Sequence, residues 1–286
     1  MKSLPIVLAA LLSGSQAVQE KVWVDSEERV IRDGQDRHVL FHGVNVVYKV
    51  PPYIPDVGKF DSQRSLTDED IQNLKAWGFN LVRLGVMWEA VETAPGKYDE
   101  NYLEEVNTLI NKLGEAGIYT LVDAHQDVLS RTICGEGMPA FYAKQVTDAG
   151  TYCFGEWEDK LLAPLVKQFG FCKPIADYGY RYDSSGFPLI EDCQKNSFFI
   201  YYTSPEAFTL FRAFYNNDFG IQDKYVAYWE KVANKFSSNP NVIGFDPFNE
   251  PLPSWKGLLG ALKTVTFGNY DRHELTPLYE RINEKY

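Results

Sequence analysis

Beyond residue 38 the apolar positions recur in one repeating unit: a short apolar run ending in polar residues, then a helical stripe, a glycine and the next run. The runs predict strands at about 40–45, 80–84, 119–123 and 242–246. Thr67-Asp68-Glu69-Asp70 is a helix-capping signature, followed by Ile71, Leu74 and Trp77 at core spacing and a stop at Gly78. Residues 102–113 carry a second stripe, Leu103, Val106, Ile110 and Leu113, which ends near Gly114 and Gly117. Further helical segments run from Ser204-Pro205 to Lys235. Ahead of the first unit stands a small β preamble, Val22-Trp23-Val24, Arg29-Val30-Ile31 and Val39-Leu40-Phe41, punctuated by Asp33-Gly34. Residues 124–203 form a long insertion between the third strand and the next helices.

Strands alternating with helices predict a parallel sheet covered by helices. Doubly wound sheets and closed barrels share that pattern, but no strand is followed by GxGxxG or GxxxxGK[ST], so the usual nucleotide-binding version is excluded. Polar groups gather instead past the carboxyl ends of the four strands: Asn45, Arg83, Asp123 with His125, and Asn249 with Glu250. That rim is where a (β/α)8 TIM barrel keeps its active site. The expected fold is therefore such a barrel, with about four strand–helix units present.

The chain of 286 residues is 45% hydrophobic, enough to fill a sizeable core, and its net charge of −11 argues against nucleic acid or an anionic membrane surface as the main partner. Met1-Lys2, an apolar run from Leu4 to Leu12 and Ser15-Gln16-Ala17 read as a signal peptide over 1–17, too short for a span of about 20 residues. The mature part would be 18–286, exported or held in a lysosomal or endomembrane lumen. Cys134, Cys153, Cys172 and Cys193 are an even set on such a chain and predict two disulfides, with three pairings open. The sequence contains no Asn-x-Ser/Thr site.

Phe245-Asp246-Pro247-Phe248-Asn249-Glu250-Pro251 is the sharpest chemical signal. Its prolines stiffen a strand exit and set where Glu250 projects, which suits general acid/base work; Asn249 beside it is a candidate partner for a substrate hydroxyl. In Asp123-Ala124-His125-Gln126-Asp127, Asp123 and His125 lie two apart and share a face on extended backbone. Arg83, at the end of an apolar strand, calls for a carboxylate partner at the barrel mouth. Trp88, Trp157, Trp229 and Trp255 are candidates for stacking on sugar rings, each weighed against core packing. With four histidines and no ligand-like spacing, neither a metal nor a cofactor is expected.

Gly78-Phe79-Asn80-Leu81-Val82-Arg83-Leu84, Trp88-Glu89, Asp123-x-His125 and Asn249-Glu250-Pro251 together resemble glycoside hydrolase family 5, a clan of retaining barrel enzymes. Trp88-Glu89-Ala90-Val91-Glu92 with Pro95-Gly96-Lys97-Tyr98, together with the Asp123–Asp127 and Phe245–Pro251 runs, is most similar to endoglycoceramidases, which cut between the glycan and ceramide of glycosphingolipids. The resemblance covers about 38–286. It implies Glu250 as acid/base, Asn249 as its sugar-binding neighbour, Asp123 and His125 as contacts of the first subsite, and Lys49 as a further glycan or ceramide-head contact. A glycosphingolipid partner follows, met at a lipid surface by transient contact without a membrane span. A family 5 β-glycanase acting on cellulose or mannan and a non-catalytic glycolipid-binding protein are the alternatives.

The family's nucleophile is a second glutamate ending the seventh strand. Here 36 residues follow Glu250, and Glu274, Glu280 and Glu284 lie in or beside helical sequence. Retaining hydrolysis needs two carboxyls about 5–5.5 Å apart. Four more βα units would take roughly 120 residues at about 30 each. The expectation is an amino-terminal part of a longer enzyme or a truncated product, inactive alone.

Overall fold

The computed structural model describes residues 21–254 and 266–285. The leader predicted at 1–17 and Trp255 lie outside them. Strands β1 (Trp23–Asp25) and β2 (Val30–Arg32) form an antiparallel hairpin; a single bridge, His38 opposite Arg32 with Val39 donating its N–H to Ile31, extends it. The parallel sheet opens with β3 (Gly43–Val46), three residues later than the apolar run begins. The Asn80 side chain explains the offset: it donates to the Leu40 carbonyl and accepts from His42 N–H, so that stretch bonds to a side chain before the ladder starts.

Helix α1 (Asp68–Ala76) has the capping box complete, Thr67 with Asp70, and buries Ile71 and Leu74. Trp77, expected in the core, is 69% exposed, because the helix has already ended there and Gly78, at φ +83°, turns the chain away. Strand β4 (Leu81–Gly85), the one-turn α2 (Trp88–Val91) and a small hairpin of β5 (Glu92–Ala94) and β6 (Lys97–Tyr98) follow. Helix α3 (Glu100–Glu115), capped by Asp99, lays Leu103, Val106, Ile110 and Leu113 into the core before β7 (Tyr119–Asp123). The insertion holds α4 (Ala140–Thr147), α5 (Glu156–Lys167) and the one-turn α6 (Ile190–Cys193). Helices α7 (Pro205–Asn216) and α8 (Ile221–Phe236), separated by left-handed Asn217 and Gly220, return the chain to β8 (Val242–Asp246).

The sheet order is β3-β4-β7-β8, all parallel, four successive strands of a barrel wall. Val82, Leu84 and Val122 pack with α3 in one continuous core and are buried. On the opposite face Leu81, Arg83, Tyr119 and Leu121 are only half-buried. Among the described residues no strand covers the outer edge of β3 or β8. Nor is any helix among them long and apolar enough to cross a membrane.

Two disulfides form, nested one within the other: Cys134–Cys193 and Cys153–Cys172. Their separations of 59 and 19 residues make the outer bridge the more stabilising, about 4 against about 3 kcal/mol by loop-closure entropy. Urea unfolding of the two Cys-pair-to-Ala variants should rank them in that order; an equal or inverted loss would refute it.

Candidate active site

In register, Arg83 stands opposite Leu121, and Leu121 opposite Gly244; Asp123 faces Asp246 one pleat further on. The Arg83 guanidinium therefore lies within reach of both carboxylates. Its Nε donates to Asp246 Oδ2 at 2.9 Å, and Nη2 donates to Asp123 Oδ1, Asp246 Oδ2 and Asn249 Oδ1 at 2.8, 2.8 and 2.9 Å. One fork joins the ends of three strands. Such fixed planar donors are what make arginine effective here.

Asn249 is oriented further by its amide, which donates to the Gln126 carbonyl at 3.0 Å and lies 3.4 Å from His125 Nε2. The loop carrying Glu250 is held from below and from the side. Tyr225 and Trp229 both donate to the Pro247 carbonyl, and Phe248 stacks on Phe214 at 5.0 Å. Gln126 Nε2 donates to the carbonyls of Asn249 and Glu250 at 2.6 and 3.3 Å. Glu250 itself has φ +39° and an exposed side chain at the rim. A non-glycine residue rarely occupies that region, and such strain concentrates at functional sites.

His125 Nδ1 meets Asp123 Oδ2 at 2.8 Å, and its Nε2 lies 3.4 Å from Asp127 Oδ2. Burial opposes the charge on His125, but the bonds to Asp123 and Asp127 outweigh it and carry the imidazole up to about 9. Asp123 is pushed above its ordinary value, chiefly by burial. Lys49 reaches in from the loop after β3, pairing with Asp127 and with Glu136 Oε1 at 3.0 Å. Asp127 and Glu136 exchange backbone hydrogen bonds, and Gly135 permits this, because a Cβ there would stand 2.0 Å from the Asp127 carbonyl oxygen. Burial lifts Glu136 well above the usual carboxylate range, whereas the bonds from His125, Glu136 and Lys49 overcome burial and hold Asp127 far below it. Of the two, Asp127 is the stronger acid and Glu136 the one that holds a proton to higher pH.

His125, Asp127 and Glu136 bring ligand atoms within 4.8 Å of one another, a donor set that suits a metal ion, but the Lys49 ammonium lies against both carboxylates and supplies the positive charge. Cys153, Asp159 and Cys172 are equally close, yet the sulfurs are bonded to each other and Asp159 accepts from the N–H groups of Cys153 and Phe154. Beside Lys49 opens a cleft of about 420 Å³, lined by Arg131, Glu136, Phe187, Ile190 and Phe198 among others.

All five site residues singled out from sequence lie on this rim: Asp123, His125 and Asn249 in one hydrogen-bonded cluster, Lys49 joined to it through Asp127, and Glu250 on the loop that Gln126 holds. The tryptophans separate. Trp88 and Trp229 are buried, each donating its indole N–H, to Glu92 and Pro247 respectively, so they support the fold; Trp157 is exposed on the insertion. Glu274 accepts from Ser254 N–H and Oγ, which makes it an anchor for the chain after Glu250. Asp246, Gln126, Glu136 and Tyr202, whose hydroxyl donates to Asp127, were not singled out as site residues. The Asp246-Pro247 and Gln126-Asp127 pairs sit inside motifs already marked, whereas Glu136 and Tyr202 carry no local signal.

Glu89, in α2, is half-buried and carried up to about 7 by desolvation, against bonds from Tyr53 and Gly137 N–H. Both Glu89 and His125 bind their protons more tightly folded than unfolded, where they titrate near 4.5 and 6.5. Their contribution is complete below those values and lost as pH rises, between 4.5 and about 7 for Glu89 and between 6.5 and about 9 for His125. Each window is worth roughly 3 kcal/mol. Melting temperature should fall from acidic to alkaline pH, and Glu89→Gln should remove the lower window only. A flat profile through pH 4.5–7 in the parent chain would contradict this.

Comparison with known proteins agrees with this geometry. Residues 42–160 match the family model Cellulase (glycosyl hydrolase family 5). The solved structures of endo-glycoceramidase II from Rhodococcus sp., as a lactosyl-enzyme intermediate and with ganglioside GM3, are similar at a TM-score of 0.61 and 21% identity. Each match covers 89% of this chain and 47–48% of theirs. That likeness establishes the fold: the four parallel strands are part of a (β/α)8 barrel, and the similarity to the family 5 glycosyl hydrolase model lies over the first three of them. Among the curated relatives to which the chain is similar are endoglycoceramidases. The endoglycoceramidase of Cyanea nozakii is 32% identical over 99% of this chain and 52% of its own length, and that of Hydra vulgaris 32% identical over 86% and 43%. The chain thus spans about half the length of the curated relatives it matches.

Proposed function

We propose that this chain supplies the acid/base half of a retaining glycosidase that cleaves the β-bond between oligosaccharide and ceramide in glycosphingolipids. The observation that carries the reading is the Arg83 fork, which brings Asp123-His125 and Asn249-Glu250 onto one rim. Glu250 protonates the leaving ceramide oxygen and later takes a proton from the attacking water. Asn249 and His125 hold the hydroxyls of the first sugar, Asp123 orients His125 from behind rather than meeting the sugar itself, and Lys49 meets the next glycan or head-group atoms. Residues 18–286 act as one incomplete barrel domain with the insertion at 124–203, and the two disulfides suit an exported or lumenal setting behind a leader at 1–17.

The second carboxylate has to come from outside this set. Asp123 and Asp246 are held by Arg83, Asp127 by Lys49, and Glu274 by Ser254. The 286-residue chain is therefore expected not to turn over substrate. The test is to express the longest open reading frame containing this chain and assay it on a ganglioside and on soluble cellulose and mannan derivatives. Release of intact oligosaccharide from the ganglioside is expected. Preference for the polysaccharides would replace this reading with a β-glycanase, and glycolipid binding without cleavage would replace it with a binding protein.

A further inference from the structure

Helix α5 is apolar on two sides. Its inner side, Leu162, Ala163 and Val166, packs with Phe171 on the Cys153–Cys172 bridge, Phe154 and Phe208. Its outer side presents Trp157, Leu161 and Leu165, four residues apart and 82, 73 and 58% exposed, and Phe169, in the turn just past the helix end, is 83% exposed. Residues at i and i+4 share a helix face, so these make one uncovered apolar stripe. It does not stop at the helix. Gly170 abuts Ile200, a Cβ there standing 3.9 Å from Ile200 Cδ1, and Phe199 in the same turn is 72% exposed. The next ring, Phe198, contacts Phe199 and lies under the Lys49 ammonium at 5.9 Å. An apolar surface therefore runs from Trp157 to the edge of the candidate site.

We propose that this stripe is a docking face for a neutral, zwitterionic lipid surface, on which the chain settles to take a glycosphingolipid from the bilayer; this rests on the function proposed above. Charge selects the occupant. Glu156, Glu158, Asp159, Lys160 and Lys167 leave the helix slightly acidic and the chain is at −11, so an anionic membrane is disfavoured and a zwitterionic one tolerated. The stripe's residue types, Trp, Leu and Phe, are those that an interfacial helix buries at the acyl boundary. The inner disulfide and its apolar cluster tether the helix to the domain, so the stripe stays turned outward on binding.

The test is flotation of the chain with phosphatidylcholine vesicles, beside a Leu161→Asp/Leu165→Asp variant. Both positions are exposed, so the variant should keep the parent's melting temperature. The parent should float with the vesicles and the variant lose about tenfold or more of that binding. No flotation of the parent, or equal flotation of the variant, overturns the proposal. Dimerisation of the parent that the variant abolishes, without vesicle binding, assigns the stripe to a second copy instead and also overturns it. In the longer protein that turns over glycolipid, the variant should cleave a water-soluble short-chain glycosphingolipid normally and a vesicle-embedded one poorly. Vesicle binding by a protein that cleaves no glycolipid would defeat the proposed function and leave the docking face standing.

Discussion

Arg83→Met should lower the stability of the chain by about 3–5 kcal/mol, the range for removing one partner from a buried charge cluster. Asp123 is completely buried, and without the guanidinium its carboxylate retains only His125. Asp246 and Asn249 lose their shared donor at the same time, and with it the lateral tie between the ends of β4, β7 and β8. Arg83→Lys should recover part of the loss at most, because an ammonium cannot bridge three acceptors in one plane. Adding Asp123→Asn to Arg83→Met should restore some stability by removing a buried carboxylate that only His125 then offsets. Urea unfolding measures all three, and a loss below about 1 kcal/mol for Arg83→Met would mean that the fork contributes no more than a surface ion pair.

Glu250→Gln should behave in the opposite way. In the protein that hydrolyses glycosphingolipid its kcat should fall by about 10²–10⁴, the share of rate enhancement that general acid/base catalysis supplies, while stability stays within about 0.5 kcal/mol because the side chain is exposed. A substrate with an activated aryl leaving group needs no protonation, so its first step should be slowed far less. Glu250→Gly should also abolish activity, yet raise stability by up to about 1 kcal/mol, since glycine adopts φ +39° without a Cβ penalty. Equal loss of kcat/KM, which reports the first step, on natural and activated substrates would remove Glu250 from the acid role.

How much of this was legible in the chain varies from element to element. The Thr67–Asp70 cap, the α3 stripe and the strands at 81–85, 119–123 and 242–246 lie close to where spacing puts them. Each is a local property, set by period and by turn chemistry. The start of β3 was misplaced because Asn80, some 40 residues away, takes the hydrogen bonds of Leu40 and His42. Core packing, the reading weighed against sugar stacking for Trp229, holds: α8 buries its ring and its N–H donates to the Pro247 carbonyl. That Arg83 needed a carboxylate was readable from its apolar strand. Which carboxylates it would find, 40 and 163 residues away, was not.

The sequence by itself determined the alternation of strands and helices, the polar residues at the strand ends, the family resemblance and the number of disulfides. Period, capping and motif spacing act over a few residues and survive without any knowledge of the fold. Tertiary structure alone decided the pairing of Cys134 with Cys193, the opposite shifts of Asp127 and Glu136 around Lys49, the left-handed backbone at Glu250 and the outward turn of the α5 stripe. Each of these depends on which distant segments share one low-dielectric space, and burial and charge have no defined values until the chain has closed around them.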